Sequence, residues 1–225
     1  MARVRRQING PDASVVVDAL RSSYGPPVRR APRPAIDELI MTILSQHTSD
    51  INTERAYTSL RARFPRWEDV ADAAVEDIAD AIRSGGLANV KAVTIHSVLS
   101  TILERTGGLD LDALALMQTH DALAWLTSLR GVGPKTAACV LLFSMDRPAM
   151  PVDTHVHRVS LRLRLVPPGT SAELAPALLE ACIPPDSMYD AHMLLIQHGR
   201  VTCKARAPRC GTCVLASRCP SAGIS

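Results

Sequence analysis

The sequence predicts an all-α fold, and three observations lead to that prediction. Hydrophobic residues make up 47% of the 225 residues but aromatic residues only 3%. The core must therefore consist of Ala, Leu, Val and Ile, and Ala and Leu are good helix formers. From residue 35 onward, apolar residues recur at helical spacing, and no alternating strand pattern of useful length competes with it. About ten helices joined by short loops are expected.

The helices follow one another with recognisable start and stop signals. A pattern over 35–50 ends in a polar stretch, and the next, over 53–64, stops at Pro65, which cannot continue a helix. Patterns over 67–84 and 89–106 each end at a pair of glycines, a common C-terminal stop. Further helices are predicted over 119–129, 135–145, 153–166, 171–182 and 187–203.

The composition argues against membrane and secreted classes. The chain has no run of eighteen apolar residues, so no transmembrane helix is expected. Its basic start is not followed by the apolar stretch and cleavage site of a secretory signal. We expect a monomeric, cytoplasmic protein without a membrane partner, associated with the nucleoid if the source is bacterial.

Charge is distributed unevenly along the chain. Residues 1–34 carry a net charge of +5, residues 35–146 carry −6 and residues 147–225 carry +4. Two basic ends around an acidic middle predict that the ends share a function or a domain. A basic surface is typical of a polyanion partner, although an unevenly charged protein without such a partner is equally compatible. Arg3, Arg5 and Arg6 form either a DNA-binding arm or a disordered segment.

Four of the six cysteines form a compact pattern. Cys139 and Cys182 lie within apolar helical stretches and are interpreted as core residues. The other four are separated by six, two and five residues: Cys203, Cys210, Cys213 and Cys219. Two disulfides are disfavoured in an intracellular protein. A four-cysteine zinc site and an iron–sulfur cluster both remain possible, with the cluster modestly favoured.

The residues between these cysteines are basic. Lys204, Arg206, Arg209 and Arg218 occur there without any acidic residue. A loop fixed by metal and carrying this charge is well suited to contact a phosphate backbone.

The segment SLRGVGPKTAACVLLF, residues 128–143, predicts a tight turn between two helices. Gly131 and Gly133 permit unusual backbone dihedrals and let backbone N–H groups approach a phosphate near a helix N-terminus. Pro134 suits the first helical turn, where its missing N–H costs no hydrogen bond. A plain helical hairpin without a ligand is the alternative.

Three segments together resemble the endonuclease III family of helix-hairpin-helix DNA glycosylases and AP lyases. They are LRGVGPKTA, VDTHVHR and HGRVTCKARAPRCGTCVLASRC, and their order and separation match as well, so the resemblance covers the chain from about residue 30. It implies two helical domains with duplex DNA in the cleft between them. Residues 35–146 would form a six-helix barrel that contains the helix-hairpin-helix. Residues 1–34 and 147–225 would form a domain with a [4Fe-4S] cluster on the four cysteines.

The resemblance also implies the catalytic residues. The matching lysine, Lys135, attacks the sugar C1′, expels a damaged base and leaves a Schiff base, after which elimination of the 3′ phosphate cuts the strand. The matching aspartate, Asp153, helps to activate the lysine and stabilises positive charge on the sugar. Burial and the helix dipole at the start of a helix would also favour a neutral, nucleophilic amine at Lys135. The alternatives are a plain helix N-cap for Asp153 and an exposed lysine that contacts phosphate for Lys135.

Further DNA contacts follow from the same resemblance. The base must leave the duplex before the reaction, and side chains fill the gap that it leaves. Leu87 occupies the position of the family's apolar wedge, and His47, next to Gln46, that of its inserted glutamine. The alternatives are a core leucine and a histidine bonded at a helix end. The hairpin residues Gly131, Val132 and Gly133 and the basic residues Lys204, Arg206 and Arg209 are expected to contact the DNA backbone.

The leading hypothesis is a bifunctional glycosylase and AP lyase acting on oxidised pyrimidines in duplex DNA. A monofunctional adenine or mismatched-thymine glycosylase is less favoured, because such enzymes tend to lack the lysine, and the adenine enzymes have a further C-terminal domain. A non-catalytic iron–sulfur DNA-binding protein is the third hypothesis. Pro134, His157, Ala88 and His47 depart from common family residues near the lesion pocket, so the preferred lesion stays open.

Overall fold

The computed structural model describes residues 10–223, and within that range no residue lies in a strand. The predicted all-α class is therefore confirmed. The α-helices are α1 (Ala13–Tyr24), α2 (Ala35–Leu44), α3 (Asp50–Arg63), α4 (Trp67–Ala71), α5 (Val75–Ala81), α6 (Ala88–Thr106), α7 (Thr119–Thr127), α8 (Pro134–Met145), α9 (Thr154–Arg162), α10 (Ala175–Cys182) and α11 (Met188–Val201). Short 3-10 helices occur at Arg83–Gly85, Asp112–Leu116, Pro185–Ser187, Cys210–Thr212 and Ala216–Arg218.

The chain divides into two compact units. The continuous unit is residues 32–145 and contains α2 to α8. The split unit joins the described residues up to 31 with those from 146 onward, and contains α1 and α9 to α11. The division falls within three residues of the boundaries predicted from the sequence. The predicted arm residues Arg3, Arg5 and Arg6 lie outside the described residues.

The core of the continuous unit is built around α2 and α8. Eight of the ten residues of α2 are buried, all but the acidic Asp37 and Glu38, so the helix is surrounded by other elements on most of its surface. The helix α8 packs along it with an uninterrupted buried run from Thr136 to Leu142. Because this run begins one residue after Lys135, the start of α8 is anchored directly by the core.

The split unit is organised around α11, which packs against both α1 and α9. On the first of these contacts, Arg21 of α1 binds Asp190 of α11 with an Nη2–Oδ2 distance of 3.0 Å. On the same face the Tyr24 hydroxyl lies 2.9 Å from His198 Nδ1. Helices on opposite sides of the continuous unit in sequence therefore form one core.

The prediction of a single helix over 67–84 is wrong. The structure has two helices there, α4 and α5, followed by the 3-10 helix Arg83–Gly85. Each α-helix begins with two acidic residues in its first turn, where the helix dipole favours negative charge. The second acidic pair, Glu76 and Asp77, therefore marks a new helix start.

Two other predicted helices are shorter than expected. The helix predicted over 153–166 ends at Arg162, since Arg164 adopts a left-handed backbone with φ of +56°. The helix predicted over 171–182 begins at Ala175, which places Pro176 in its first turn, where the missing N–H is tolerated.

The predicted helices do not include α1, although the sequence carries a start signal and a stop signal for it. Asp12 caps it by accepting a hydrogen bond from the Ser14 N–H at 2.8 Å, and Gly25, with φ of +81°, follows its last residue. Among the described residues no helix is long and apolar enough to cross a bilayer.

Candidate functional site

The hairpin between α7 and α8 depends on one of its two glycines for the turn. Gly131 has φ of +88°, and a Cβ there would come within 2.6 Å of Thr94 Cγ2, so only glycine fits. Gly133 has no positive φ, and a Cβ there would meet open space. The expectation that both glycines serve the turn is therefore wrong for Gly133, whose exposed backbone remains open to an approaching ligand. Val132 between them is buried and anchors the turn.

Lys135 is the second residue of α8 and is half-buried. It is one of only three lysines in the sequence, the others being Lys91 and Lys204. Lys91 is 3% exposed and donates hydrogen bonds to two backbone carbonyls, whereas Lys204 lies exposed on the cysteine loop. Lys135 is thus the lysine placed at the start of the hairpin's second helix.

Asp153 lies in the split unit and is the N-cap of α9. Its Oδ1 accepts a hydrogen bond from the Val156 N–H at 2.7 Å, which confirms the predicted cap. The segment before Asp153 is held by two further hydrogen bonds. His192 lies 2.9 Å from the Pro151 carbonyl oxygen, and the Met150 N–H donates to Glu180 at 2.8 Å. Burial raises the pKa of Glu180.

The two loops predicted to enter the duplex both lie on the continuous unit. Gln46 and His47 are exposed in the loop between α2 and α3. Leu87, which precedes α6, is 55% exposed, so the alternative of a core leucine is excluded. His47 and Leu87 both adopt left-handed backbone conformations, with φ of +54° and +49°. Such conformations are uncommon outside glycine and are concentrated at functional sites.

The four cysteines of the split unit surround one cavity. These four are the cysteines of the loop, Cys203, Cys210, Cys213 and Cys219, not Cys182 of α10, and they line the cavity together with Arg162, His198 and Arg209, among others. Within residues 10–223, no three His, Cys, Asp or Glu side chains converge on a position for a single metal ion. A [4Fe-4S] cube spreads its four thiolate ligands over four iron atoms, so sulfurs placed around a cavity fit such a cluster.

The raised pKa values of two loop thiols favour a positively charged group bound between the cysteines. Burial raises the pKa of Cys213 and Cys219, and the charges of neighbouring cysteines raise it further. The sulfurs are therefore close enough to repel one another when ionised. Iron bound in the cavity would offset that repulsion, because a metal ion stabilises the thiolate form of its ligands.

Two arginines of α9 hold the start of the cysteine loop. Arg158 donates to the Cys203 carbonyl at 3.1 Å and to the Gly199 carbonyl at 2.9 Å. Arg162 donates to the Lys204 carbonyl at 2.6 Å and to the Ala205 carbonyl at 3.1 Å. The planar guanidinium donates in two directions at once, so each side chain can bridge two backbone positions.

Hydrogen bonds also reach the sulfurs. Arg162 Nη1 lies 3.4 Å from Cys203 Sγ, and the Leu215 N–H donates to Cys213 Sγ at 3.4 Å. His198 Nε2 lies 3.8 Å from Cys213 Sγ, and its other ring nitrogen faces Tyr24. Burial lowers the pKa of His198 to about 4, so the ring is neutral at physiological pH. Lys204, Arg206 and Arg209 remain exposed around this loop.

Comparison with known proteins places these features in one family. A model described as "HhH-GPD superfamily base excision DNA repair protein" matches residues 40–185, more than half of the chain. A second, described as "Iron-sulfur binding domain of endonuclease III", matches residues 203–219. Endonuclease III of Thermotoga maritima is 36% identical over 181 residues, which cover 80% of each chain. The chain belongs to the endonuclease III family.

Other endonuclease III relatives agree with this assignment. The Escherichia coli enzyme is 33% identical over 80% of this chain and 81% of its own. A solved structure of a trapped covalent endonuclease III–DNA intermediate superposes with a TM-score of 0.79 at 26% identity, covering 94% of this chain and 97% of the other. A candidate DNA glycosylase of Arabidopsis thaliana is 38% identical over 74% of this chain, which spans 57% of the plant protein.

Membership in the endonuclease III family makes this chain part of a DNA glycosylase family of base excision repair. It also decides between a zinc site and an iron–sulfur cluster, the two alternatives that the cysteine spacing leaves open. The matched iron–sulfur segment begins and ends at the first and fourth cysteines, so the loop is a [4Fe-4S] site. Cys203, Cys210, Cys213 and Cys219 would hold the cluster. When bound, it supplies a rigid, charged centre that fixes the surrounding loop.

Proposed function

We propose that this protein removes oxidised pyrimidines from duplex DNA and then cleaves the strand at the resulting abasic site. The observation that carries the proposal is the distribution of its lysines. A Schiff base needs a primary amine, and of the three lysine amines one is buried and bonded and one lies on the cysteine loop. Lys135, at the start of the hairpin's second helix, is left as the nucleophile.

The chemistry assigned to Lys135 proceeds in two stages. The neutral Nζ attacks C1′, the glycosidic bond breaks, and the base departs with the electron pair and takes up a proton. The sugar ring opens to give an imine between Nζ and C1′. Removal of a proton from C2′ then lets the 3′ phosphate leave, which cuts the strand; water later hydrolyses the imine and releases the enzyme.

Asp153 is proposed as the carboxylate that assists this amine. Its cap hydrogen bond fixes the side chain, while a carboxylate has further lone pairs for other donors. The negative charge would favour transfer of a proton from the attacking nitrogen and would stabilise positive charge developing on the sugar. DNA backbone contacts are assigned to Gly131, Val132, Gly133, Lys204, Arg206 and Arg209.

We assign three side chains to fill the gap left by the extruded base: Leu87, His47 and Gln46. Leu87 offers an exposed apolar side chain and His47 an exposed polar ring. The lesion class follows from the endonuclease III resemblance of the hairpin, the aspartate segment and the cysteine loop.

Borohydride trapping on a duplex with one abasic site tests the proposal. Borohydride reduces an imine to a stable amine, so the intact protein should become covalently attached to the DNA. Lys135→Ala should lower the yield by about a thousandfold or more, as expected for loss of a nucleophile. Lys204→Ala is the matched control: it removes the lysine of the cysteine loop, so it should weaken DNA binding but keep the adduct at saturating DNA.

The remaining outcomes separate the alternatives. A Lys135→Ala protein that still forms the adduct would refute the assignment. If the intact protein gives no adduct but releases a base, it is a monofunctional glycosylase; with neither, it is a DNA-binding protein. Duplexes with an oxidised pyrimidine, an oxidised purine or a mismatched thymine then identify the lesion class.

A further inference from the structure

Lys91 is the most deeply buried lysine of the chain, and its ammonium donates two hydrogen bonds. The side chain is 3% exposed, and Nζ donates to the Leu44 carbonyl at 2.7 Å and to the Gly85 carbonyl at 2.8 Å. Lysine is almost never buried unless it is paired, because its charge must leave water. Burial accordingly lowers the pKa of Lys91. A group this costly to bury calls for a specific role.

The two acceptors stand at the ends of helices. Leu44 is the last residue of α2, and Gly85 is the last residue of the 3-10 helix before α6. Carbonyls at a helix C-terminus lack an intrahelical partner and lie at the negative end of the helix dipole. One ammonium therefore satisfies two orphan acceptors and joins two chain segments that are 41 residues apart, since its partners are residues 44 and 85.

Both joined segments lead directly into the loops assigned to the duplex. His47 follows Leu44 by three residues, and Leu87 follows Gly85 by two. The backbone N–H of Lys91 also donates to the Leu87 carbonyl at 3.0 Å, so the same residue holds Leu87 from its other side. Lys91 thus connects the bases of the two loops.

The loops need such support because both are strained. His47 and Leu87 each adopt a left-handed backbone, in which the Cβ of a non-glycine residue crowds the following carbonyl oxygen. A strained conformation persists only when the surrounding structure over-determines it. A buried ammonium between two carbonyls provides a fixed point behind both residues, and Gly85 itself is buried against Ala56 of α3.

We propose that Lys91 is a positioning residue for damage recognition: its two hydrogen bonds lock the loops of His47 and Leu87 together in the conformation that fills the gap left by an extruded base. This inference rests on the proposed function, since it assumes that the two loops enter DNA. Lys91 itself contacts neither the base nor the sugar.

Lys91→Met tests the inference, because methionine keeps much of the aliphatic stem and removes both hydrogen bonds. The measurement is affinity for a duplex with a reduced abasic-site analogue, relative to the same duplex undamaged. We expect the preference for the damaged duplex to fall about tenfold, within the range for broken buried networks. Affinity for the undamaged duplex should change less than twofold, as its phosphate contacts lie elsewhere.

Two further variants separate positioning from general destabilisation. Tyr57→Phe removes a half-buried hydrogen bond to Asp37 in the same unit that involves neither loop nor either carbonyl bound by Lys91, and it should leave the preference unchanged. In a Leu87→Ala background, Lys91→Met should add less than a twofold loss, because the side chain that it positions is already gone. A purely structural lysine would give the same loss in both backgrounds.

The outcomes distinguish this inference from the proposed function. An intact protein without any preference for the damaged duplex would overturn both. An intact protein with the preference, together with Lys91→Met that keeps it, would overturn the role of Lys91 alone. Should Lys91→Met fail to fold, Lys91→Gln takes its place, since its shorter amide reaches at most one carbonyl; unchanged preference in that variant would equally refute the inference.

Discussion

Asp153 has a structural task as a helix N-cap, and the proposed function gives it a chemical task as well. The Val156 N–H uses one acceptor site of the carboxylate at 2.7 Å, while an ionised carboxylate offers about four. Capping therefore fixes the direction of the group and leaves capacity for the reacting sugar and amine. The two tasks differ in one respect, because capping needs only an oxygen acceptor and the proposed catalysis needs the negative charge.

Substitution at this residue should separate the two tasks. Asp153→Asn keeps a capping oxygen and should change the free energy of unfolding by only a few tenths of a kcal/mol, whereas Asp153→Ala should cost about 1 kcal/mol. Both should lower the rate of borohydride trapping by about a hundredfold, because both remove the charge. Thermal unfolding and trapping measure the two effects; full trapping by Asp153→Asn would show that the charge is dispensable.

At the scale of elements, α9 links the proposed catalytic carboxylate to the iron–sulfur loop. Asp153 caps its start, and Arg158 and Arg162 extend from the same helix to the carbonyls that begin the loop. A nine-residue helix is a rigid body on this length scale. The position of the cysteine loop and that of the carboxylate are therefore coupled through one element.

Removing one arginine should loosen this connection. Arg162→Met loses hydrogen bonds to two carbonyls and a contact to Cys203 Sγ, so the split unit should become less stable by roughly 1–3 kcal/mol and should lose iron faster. Arg218→Met, in the same loop with an exposed side chain, is the control. Iron content after oxidant exposure and loss of cluster absorbance on heating report the effect. Equal iron retention in both variants would contradict it.

The elements also show what a sequence can and cannot predict. The sequence singles out Lys135, Asp153 and the four loop cysteines because each lies in a local motif. It does not single out Lys91, because the acceptors of this lysine are backbone carbonyls, one of them 47 residues away, and a carbonyl has no sequence signature. The contact between Tyr24 and His198 spans 174 residues and is equally hidden. The left-handed backbone of His47 and Leu87 is hidden as well, because neither residue is a glycine.

At the scale of the molecule, each unit has its own core, but they differ in their dependence on iron. The continuous unit is held by α2 and α8, both buried along most of their length. The split unit places four thiols around a cavity, close enough to repel one another when ionised. Its loop should therefore depend on the cluster for its structure, as small metal-binding regions generally do.

Loss of the cluster should affect the two units unequally. In Cys213→Ser or after chelation of iron, amide hydrogen exchange should accelerate in α9, α11 and the cysteine loop. Protection should stay within about threefold of the intact protein in α2, α6 and α8, because local stability differs between cooperative units. Exchange measured by mass spectrometry on both forms tests this, and equal acceleration throughout the chain would contradict it.

The split organisation has a consequence for how the protein matures. Tyr24 is separated from His198 by 174 residues, which a ribosome adding 5–20 residues per second needs roughly 9–35 s to synthesise. During that interval the apolar face of α1 has no α11 to pack against. The continuous unit can already fold, because its helices are close to one another in sequence. The cysteines emerge later still. Iron insertion is therefore expected late in biogenesis, and a cell short of iron should accumulate chains in which the continuous unit is folded and the split unit is not.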